Sequence, residues 1–290
     1  MPQTINTNLV SLNAQRNLSM SQSSLATSMQ RLSSGMRVNS AKDDAAGLSI
    51  AERMNTQVRG MAVATRNAND AISLAQTAEG ALGKVGDLFQ RMRELAVQSA
   101  NGTNTDADRK SLDDEFVQLA QEATRTLGGT QFNGTKILAT TNASTFQIGA
   151  NNTSDIDRIT VDAFDWATSA KATDMTAVLG TAVITGTDTP ALQITNTTTA
   201  QAAIAAIDSA INQVNSQRAS YGAVQNRFEN VVSNLMQSGE NQAAARARIM
   251  DADYAAETSN LSRASILQQA GNAMVAQANQ LPQQVLALLR

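Results

Sequence analysis

The sequence predicts a mainly α-helical protein: an elongated antiparallel coiled-coil or helical bundle formed by the N- and C-terminal segments, with a small β-hairpin region and a short variable insert. Three observations carry that expectation. Apolar residues recur at alternating spacings of three and four over both ends of the 290-residue chain, the seam pattern of helices packed side by side. Only three prolines occur, Pro2, Pro190 and Pro282, so between the first two no residue lacks the backbone donor that a helix needs. Hydrophobic residues make up 42% of the chain but aromatics only 3%. Aromatic side chains bury the most area each, and without them a long helix-to-helix seam is easier to fill than a spherical core.

The elements follow in order. Leu18, Leu25 and Leu32 are seven apart, with Met29 and Met36 each four residues after a leucine, which predicts a first helix with one narrow apolar stripe. Ser40 stands before Ala41-Lys42-Asp43-Asp44, a combination suited to a helix start. From Ile50 a stripe through Met54, Val58, Met61, Ala68, Ile72, Ala75, Leu82, Val85, Phe89 and Met92 predicts a second, long helix, broken at Asn101-Gly102-Thr103-Asn104. Thr105 with Asp108 reads as a capping box for a helix that buries Leu112, Phe116, Leu119, Ala123 and Leu127 and stops at Gly128-Gly129. Asn133-Gly134 is a hairpin signal. Phe146 and Ile148, then Ile159, Val161 and Ala163, alternate with polar residues as half-buried strands do. Residues 165–199 show no period and read as a surface insert or long loop. Helix resumes near Ala200, with Ile207, Val214, Tyr221, Phe228 and Leu235 in successive sevens and Ile204, Ile211 and Val232 on companion positions. Arg218 and Gln225 interrupt that companion row, and polar seam residues fix register. The last helix carries Tyr254, Leu261, Leu267, Met274, Leu281 and Leu288.

Composition narrows the function. The chain has no His and no Cys, which removes Ser-His-Asp and Cys-His nucleophiles, imidazole or thiolate metal sites and disulfides. Neither an enzyme nor a cofactor-binding protein is expected. With 22 Lys and Arg against 25 Asp and Glu, net charge −3, no basic surface for nucleic acid is expected. Asp43-Asp44 and Asp113-Asp114-Glu115 are adjacent residues, pointing about 100° apart on a helix, so they read as solvated charges rather than ligands of one ion. Gly80, Gly83 and Gly86 fall inside a helical pattern and read as points of close packing. Residues 1–10 have neither the basic nor the apolar region of a secretory signal peptide, and the longest apolar run, Val285 to Leu289, is far too short to span a bilayer. The apolar stripes at the two ends are too narrow to close a core by themselves. They are expected to stay poorly ordered in the monomer and to fold when neighbouring molecules cover them.

Three stretches resemble bacterial flagellin: Arg31-Leu-Ser-Ser-Gly-Met-Arg-Val-Asn-Ser-Ala-Lys-Asp-Asp-Ala-Ala-Gly-Leu48, Gln90-Arg-Met-Arg-Glu-Leu-Ala-Val-Gln-Ser-Ala-Asn-Gly-Thr103 and Leu261-Ser-Arg-Ala-Ser-Ile-Leu-Gln-Gln-Ala-Gly271, the last leading to a C-terminus that matches through Arg290. They occur in the family's order, with Tyr221-Gly-Ala-Val-Gln-Asn-Arg-Phe228 between them, and the likeness covers about residues 1–160 and 200–290. The resemblance implies a short flagellin with a minimal outer domain, a structural subunit that polymerises into an open helical filament for swimming. It implies an inner-tube domain from residues 1–43 and 250–290. The outer-tube helical domain would comprise residues 44–164, with the hairpin, and 200–249. A variable surface insert would lie at 165–199, where Ser and Thr could carry O-linked sugars. The implied assembly seam is Leu18, Leu25, Met29, Leu32, Met36, Leu261, Leu267, Met274, Leu281 and Leu288. Implied partners are further copies of the chain, an export chaperone at the C-terminal helix, and the filament cap and hook-junction proteins. A host Toll-like receptor would be contacted through Arg91, Leu95 and Glu115. Export through the flagellar type III channel would place the protein outside the cell. The alternative is a hook–filament junction protein, a relative that shares the terminal helices.

Overall fold

The structure, a computed structural model, describes residues 7–140, 142–153, 156–162, 164, 173–179 and 192–288. Among them are six helices: α1 (Leu9–Ser34), α2 (Ala45–Ser99), α3 (Asp106–Gly129), α4 (Thr173–Leu179), α5 (Thr197–Met250) and α6 (Tyr254–Leu288). Four short strands are β1 (Gln131–Phe132), β2 (Thr135–Lys136), β3 (Ser144–Gln147) and β4 (Arg158–Val161). The chain divides into two compact units, Gln57–Gly239 and the combination of Met1–Thr56 with Glu240–Arg290.

In the unit Gln57–Gly239, α2 buries Ala64, Ala68, Ala71, Ala75, Ala78, Leu82, Val85, Phe89, Met92 and Ala96, an unbroken 4-3 alternation. The α5 helix runs antiparallel to it: Arg93 bonds Asp208 at 2.5 Å, Gly86 lies by Val214, and Gln225 donates to Glu79 at 3.0 Å. Helix α5 buries Ala203, Ile207, Ala210, Val214, Tyr221 and Phe228. Its companion row is thus Ala203 and Ala210 rather than Ile204 and Ile211, which are half-buried. Likewise Ala71 takes the seam place expected for Ile72, half-buried beside it. Helix α3 adds Phe116, Ala120, Ala123 and Leu127 to the same core.

Local chemistry sets the ends of these helices. The capping box at α3 is formed: Asp108 donates its N–H to the Thr105 hydroxyl at 3.3 Å and accepts the Thr105 N–H at 3.0 Å. At the other end Gly128 and Gly129 stay helical and Thr130 is the cap. At α2 the cap is Asp44, which accepts the Gly47 N–H at 2.8 Å, while Ser40 instead donates to Asp43. Arg109 is buried, not a surface cation. It donates to the carbonyls of Ser99, Asn101 and Asn104, closing the turn between α2 and α3. Asp113 corrects the solvated-charge reading: it is buried and accepts the Ile194 N–H at 2.7 Å.

The stretch 165–199 is not simply a loop. Met175, Val178 and Leu179 of α4, with Ile194, are wholly buried in the core, and α5 begins at Thr197. Residues 165–172 and 180–191, where sugars were expected, lie outside the described residues, as does Ala163. The hairpin β1–β2 turns at Asn133 (φ 49°) and Gly134 (φ 76°), the paired left-handed residues of a type I′ turn. Strands β3 and β4 pair antiparallel with Phe146 opposite Ile159, and Phe146 meets Phe228 edge-on at 5.7 Å. The loop after β3 reaches α2 at Gly60, where an added Cβ would lie 2.7 Å from the Cβ of Ala150, so only glycine fits. A Cβ added at Gly80 or Gly83 would meet nothing within 4 Å, and one at Gly86 only Val214, at an ordinary contact distance of 3.8 Å. The close-packing expectation fails at all three.

Candidate assembly interface

Within the unit formed by Met1–Thr56 and Glu240–Arg290, α1 and α6 lie antiparallel along one another. Asn8 donates to the Ala278 carbonyl at 2.7 Å, Ser11 to the Asn279 side chain at 2.7 Å, Leu18 sits against Gly271, and Arg31 approaches Glu257 at 3.9 Å. Past the end of α1, Gly35 adopts φ 70°, the left-handed conformation that closes many helices. The two connecting segments then clasp: Met36 pairs with Asp251 in an antiparallel bridge, and Ala252 donates to the Gly35 carbonyl at 2.9 Å. Val38, Ala51 and Met250 make a small separate core beneath.

Half of the residues turned inward on this helix pair are small. On α1 they are Ser11, Ala14, Leu18, Ser21, Leu25, Ser28 and Leu32; on α6, Glu257, Leu261, Ala264, Gln268, Gly271, Val275 and Ala278. Both sets keep the 4-3 alternation, yet full burial is reached only at Ser11, Ser28, Glu257, Ala264 and Ala278. Small side chains let two helices approach but remove little apolar area from water. A second set of bulky residues faces out: Leu9, Leu12, Met20 and Met29 on α1, Ile266, Leu267 and Met274 on α6, with exposures from 49% to 66%. Leu9, Leu12 and Met20 fall on the side of α1 opposite its contact with α6, by the 100° step of the helix.

The expected seam therefore separates into two sets. Leu18, Leu25, Leu32 and Leu261 are half-buried toward the partner helix, and Met36 is half-buried at the clasp. Met29, Leu267 and Met274 point to solvent, while the side chains of Leu281 and Leu288 lie outside the described residues. What the apolar pattern missed are the small members of the intramolecular seam, whose leucines it marked. Their signal is Ala14, Ser21 and Ser28, heptad-spaced and offset by three or four from the leucines, with Ser11 one heptad before Leu18.

In the unit Gln57–Gly239 the three receptor candidates lie on α2 and α3, and two of them, Arg91 and Glu115, come together. Arg91 holds Glu115 through Nε at 3.1 Å and a terminal nitrogen at 2.9 Å, and Glu94 at 3.0 Å. Hydrogen bonding to Glu94, then to Glu115, raises the Arg91 pKa above its ordinary value. Arg91 is exposed; Leu95, one turn on, is 1% exposed and belongs to the core. Among the described residues there is no group of three acidic side chains placed to hold a metal ion, and no helix long and apolar enough to cross a membrane.

Residues 5–143 match the family model of the bacterial flagellin N-terminal helical region, and residues 204–289 that of the bacterial flagellin C-terminal helical region. A flagellin of Halalkalibacterium halodurans is 46% identical over 289 residues, covering 99% of both chains. A flagellin of Bacillus subtilis is 43% identical over 303 aligned positions, again 99% of both. The crystal structure of Bacillus cereus flagellin is 35% identical, covers 62% of this chain and 94% of that one, and gives a TM-score of 0.46.

Proposed function

Because the chain belongs to the bacterial flagellin family, the structural subunits of the flagellar filament, we propose that it builds a propeller for swimming and that the outward rows of α1 and α6 are its polymer contacts. The observation that carries this is the division of bulk on those helices: the leucines between them are only half-buried beside fully buried Ser11, Ser28, Ala264 and Ala278, while Leu267, Met274, Met20 and Leu9 stand exposed. Contiguous exposed apolar side chains mark an interaction surface. Contacts of one surface with a different surface of the next copy, repeated without closure, give an open helix.

The domain division proposed is an inner tube from residues 1–43 and 250–290 and an outer tube from 44–164 and 200–249, with 165–199 as the variable part. The terminal helices complete their burial, and their order, only between neighbours. The export chaperone would cover the same α6 face before assembly, and the cap and hook-junction proteins would meet it at the filament ends. The junction-protein alternative is not favoured, since both matching family models are those of flagellin. In shed monomer the exposed Arg91–Glu115 pair is the proposed receptor contact, with Leu95 supporting it from beneath.

Precipitant-induced polymerisation followed by sedimentation and electron microscopy tests the reading. Leu267→Ser with Met274→Ser is expected to leave the monomer's helical circular dichroism unchanged and to abolish filaments. Normal filaments from that variant would overturn it.

A further inference from the structure

The chain has eleven methionines and no cysteine. With no thiol to intercept it, a two-electron oxidant such as hydrogen peroxide meets thioether sulfur first. Those sulfurs are unevenly placed. Met92 and Met175 are wholly buried, Met250 nearly so, and Met36, Met54 and Met61 are half-buried. Among the described residues, Met20, Met29, Met236 and Met274 are more than half exposed. Three of these four stand on α1 and α6, beside the outward Leu9, Leu12, Ile266 and Leu267. Met274 follows Leu267 by one heptad. Met236 is on α5, in the other compact unit.

Oxidation at such a sulfur transfers one oxygen atom. The sulfur lone pair attacks a peroxide oxygen, the O–O bond breaks, and the products are the sulfoxide and water. An apolar thioether thereby becomes a polar, chiral group. On a solvent-facing side the sulfoxide stays hydrated and the monomer keeps its fold. Pressed against leucine or isoleucine of another copy, it is buried without a hydrogen-bond donor, which is unfavourable.

We propose that Met20, Met29 and Met274 are a reversible oxidation site that switches off self-association. The free chain is the susceptible form, because a covered sulfur meets no oxidant. The effect on assembly rests on the filament reading above; the oxidation pattern of the monomer does not.

Peroxide treatment of the full-length monomer, peptide mass mapping and then polymerisation test the site. Sulfoxide is expected at Met20, Met29, Met236 and Met274, with Met92 and Met175 still thioethers and the helical circular dichroism unchanged. The monomer concentration needed for polymer should rise about tenfold or more, as uncompensated polar groups enter the contact. Met20→Leu with Met29→Leu and Met274→Leu keeps volume and apolar character but removes the reactive sulfurs, so the treated triple variant should polymerise like the untreated one. Met236→Leu should leave the parent's sensitivity as it was. Methionine sulfoxide reductases of both epimer specificities, with a dithiol reductant that carries the oxygen off as water, should restore the oxidised parent. That repair reads the switch whatever the triple variant's own assembly. Protection of the three methionines from peroxide in the monomer would overturn the site. So would normal polymer from parent oxidised at all three, or an equal loss in the treated triple variant. Untreated parent that forms no polymer would defeat the filament reading and the switch with it.

Discussion

Helices α2 and α5 bury Leu82, Val85, Phe89 and Met92 with Ile207, Val214 and Phe228, none more than 1% exposed. Helices α1 and α6 follow the same 4-3 alternation but set Ser11, Ser28, Ala264, Gly271 and Ala278 beside leucines that are only half-buried, and leave Leu267 51% and Met274 61% exposed. The difference teaches where each region's partner is. Bulk packed inside a pair stabilises that pair, whereas bulk turned outward is left, on the proposed function, for another molecule to cover. The sharpest way to break this contrast is a matched pair of truncations. Phe89→Ala should destabilise the monomer by about 3–5 kcal/mol, the cost of a large buried cavity, read from urea denaturation. Leu267→Ala should leave the monomer within about 0.5 kcal/mol, as surface substitutions do, while slowing or preventing polymerisation. Equal monomer losses from both would erase the distinction.

A second contrast is between buried and exposed charge within the unit Gln57–Gly239. Arg109 gathers three carbonyls and Asp113 holds the Ile194 N–H, while Ser99 donates to the Ile194 carbonyl at 2.5 Å. Together they fasten the end of α2, the start of α3 and the segment entering α5. Asp113→Ala leaves that buried N–H without a partner and should cost about 1–3 kcal/mol. Amide exchange at Ile194 is the direct measurement, and unchanged protection there would refute the fastening role.

Much of this organisation was legible in the residues. The helices, the capping box and the type I′ hairpin each follow from local spacing or turn chemistry, which one segment carries alone. The α5 companion row was displaced by one residue because Ala203 and Ala210 carry little hydrophobic signal beside Ile204 and Ile211, although burial in a close-packed seam favours the smaller side chain. Asp113 looked like a solvated charge because its partner is a backbone group far away in the chain, and backbone groups leave no mark in a sequence; the same holds for the carbonyls that bury Arg109. The outward set of α6 could be listed, but not its direction: a stripe shows that a face is apolar, not which neighbour covers it. Met175, Val178 and Leu179 were hidden for a simpler reason, since one short helix holds too few turns to display a period.

Acid should sharpen the comparison between caps and cores. Hydrogen bonds from Thr105 hold Asp108 below the usual carboxylate range, and the Arg93 guanidinium does the same for Asp208. A depressed folded pKa means that each stabilises the fold at pH above its ordinary value of 3.8, and that the contribution is lost as pH falls through the lower folded value. The melting temperature should therefore decline below about pH 4, and less steeply in Asp208→Asn. Thr105→Ala should cost about 1 kcal/mol at neutral pH, the usual worth of an N-cap. An identical acid limb in parent and Asp208→Asn would show that the Arg93–Asp208 bond contributes nothing.

The smallest change in stability belongs to the pair that should matter most to a receptor. Arg91 is exposed, and surface ion pairs contribute little to folding, so Arg91→Ala should leave the denaturation midpoint where it is. Arginine is a frequent interface anchor, and the same substitution should raise the monomer concentration for half-maximal signalling in a Toll-like receptor reporter cell by about tenfold or more. Leu95→Ala separates recognition from support: its side chain is buried, so its effect should appear first as a core loss of about 2–5 kcal/mol. Any loss of signal should then be recovered on cooling or with a stabilising osmolyte, which cannot replace a missing guanidinium. Full signalling by folded Arg91→Ala would leave the pair as a strut between α2 and α3 and nothing more.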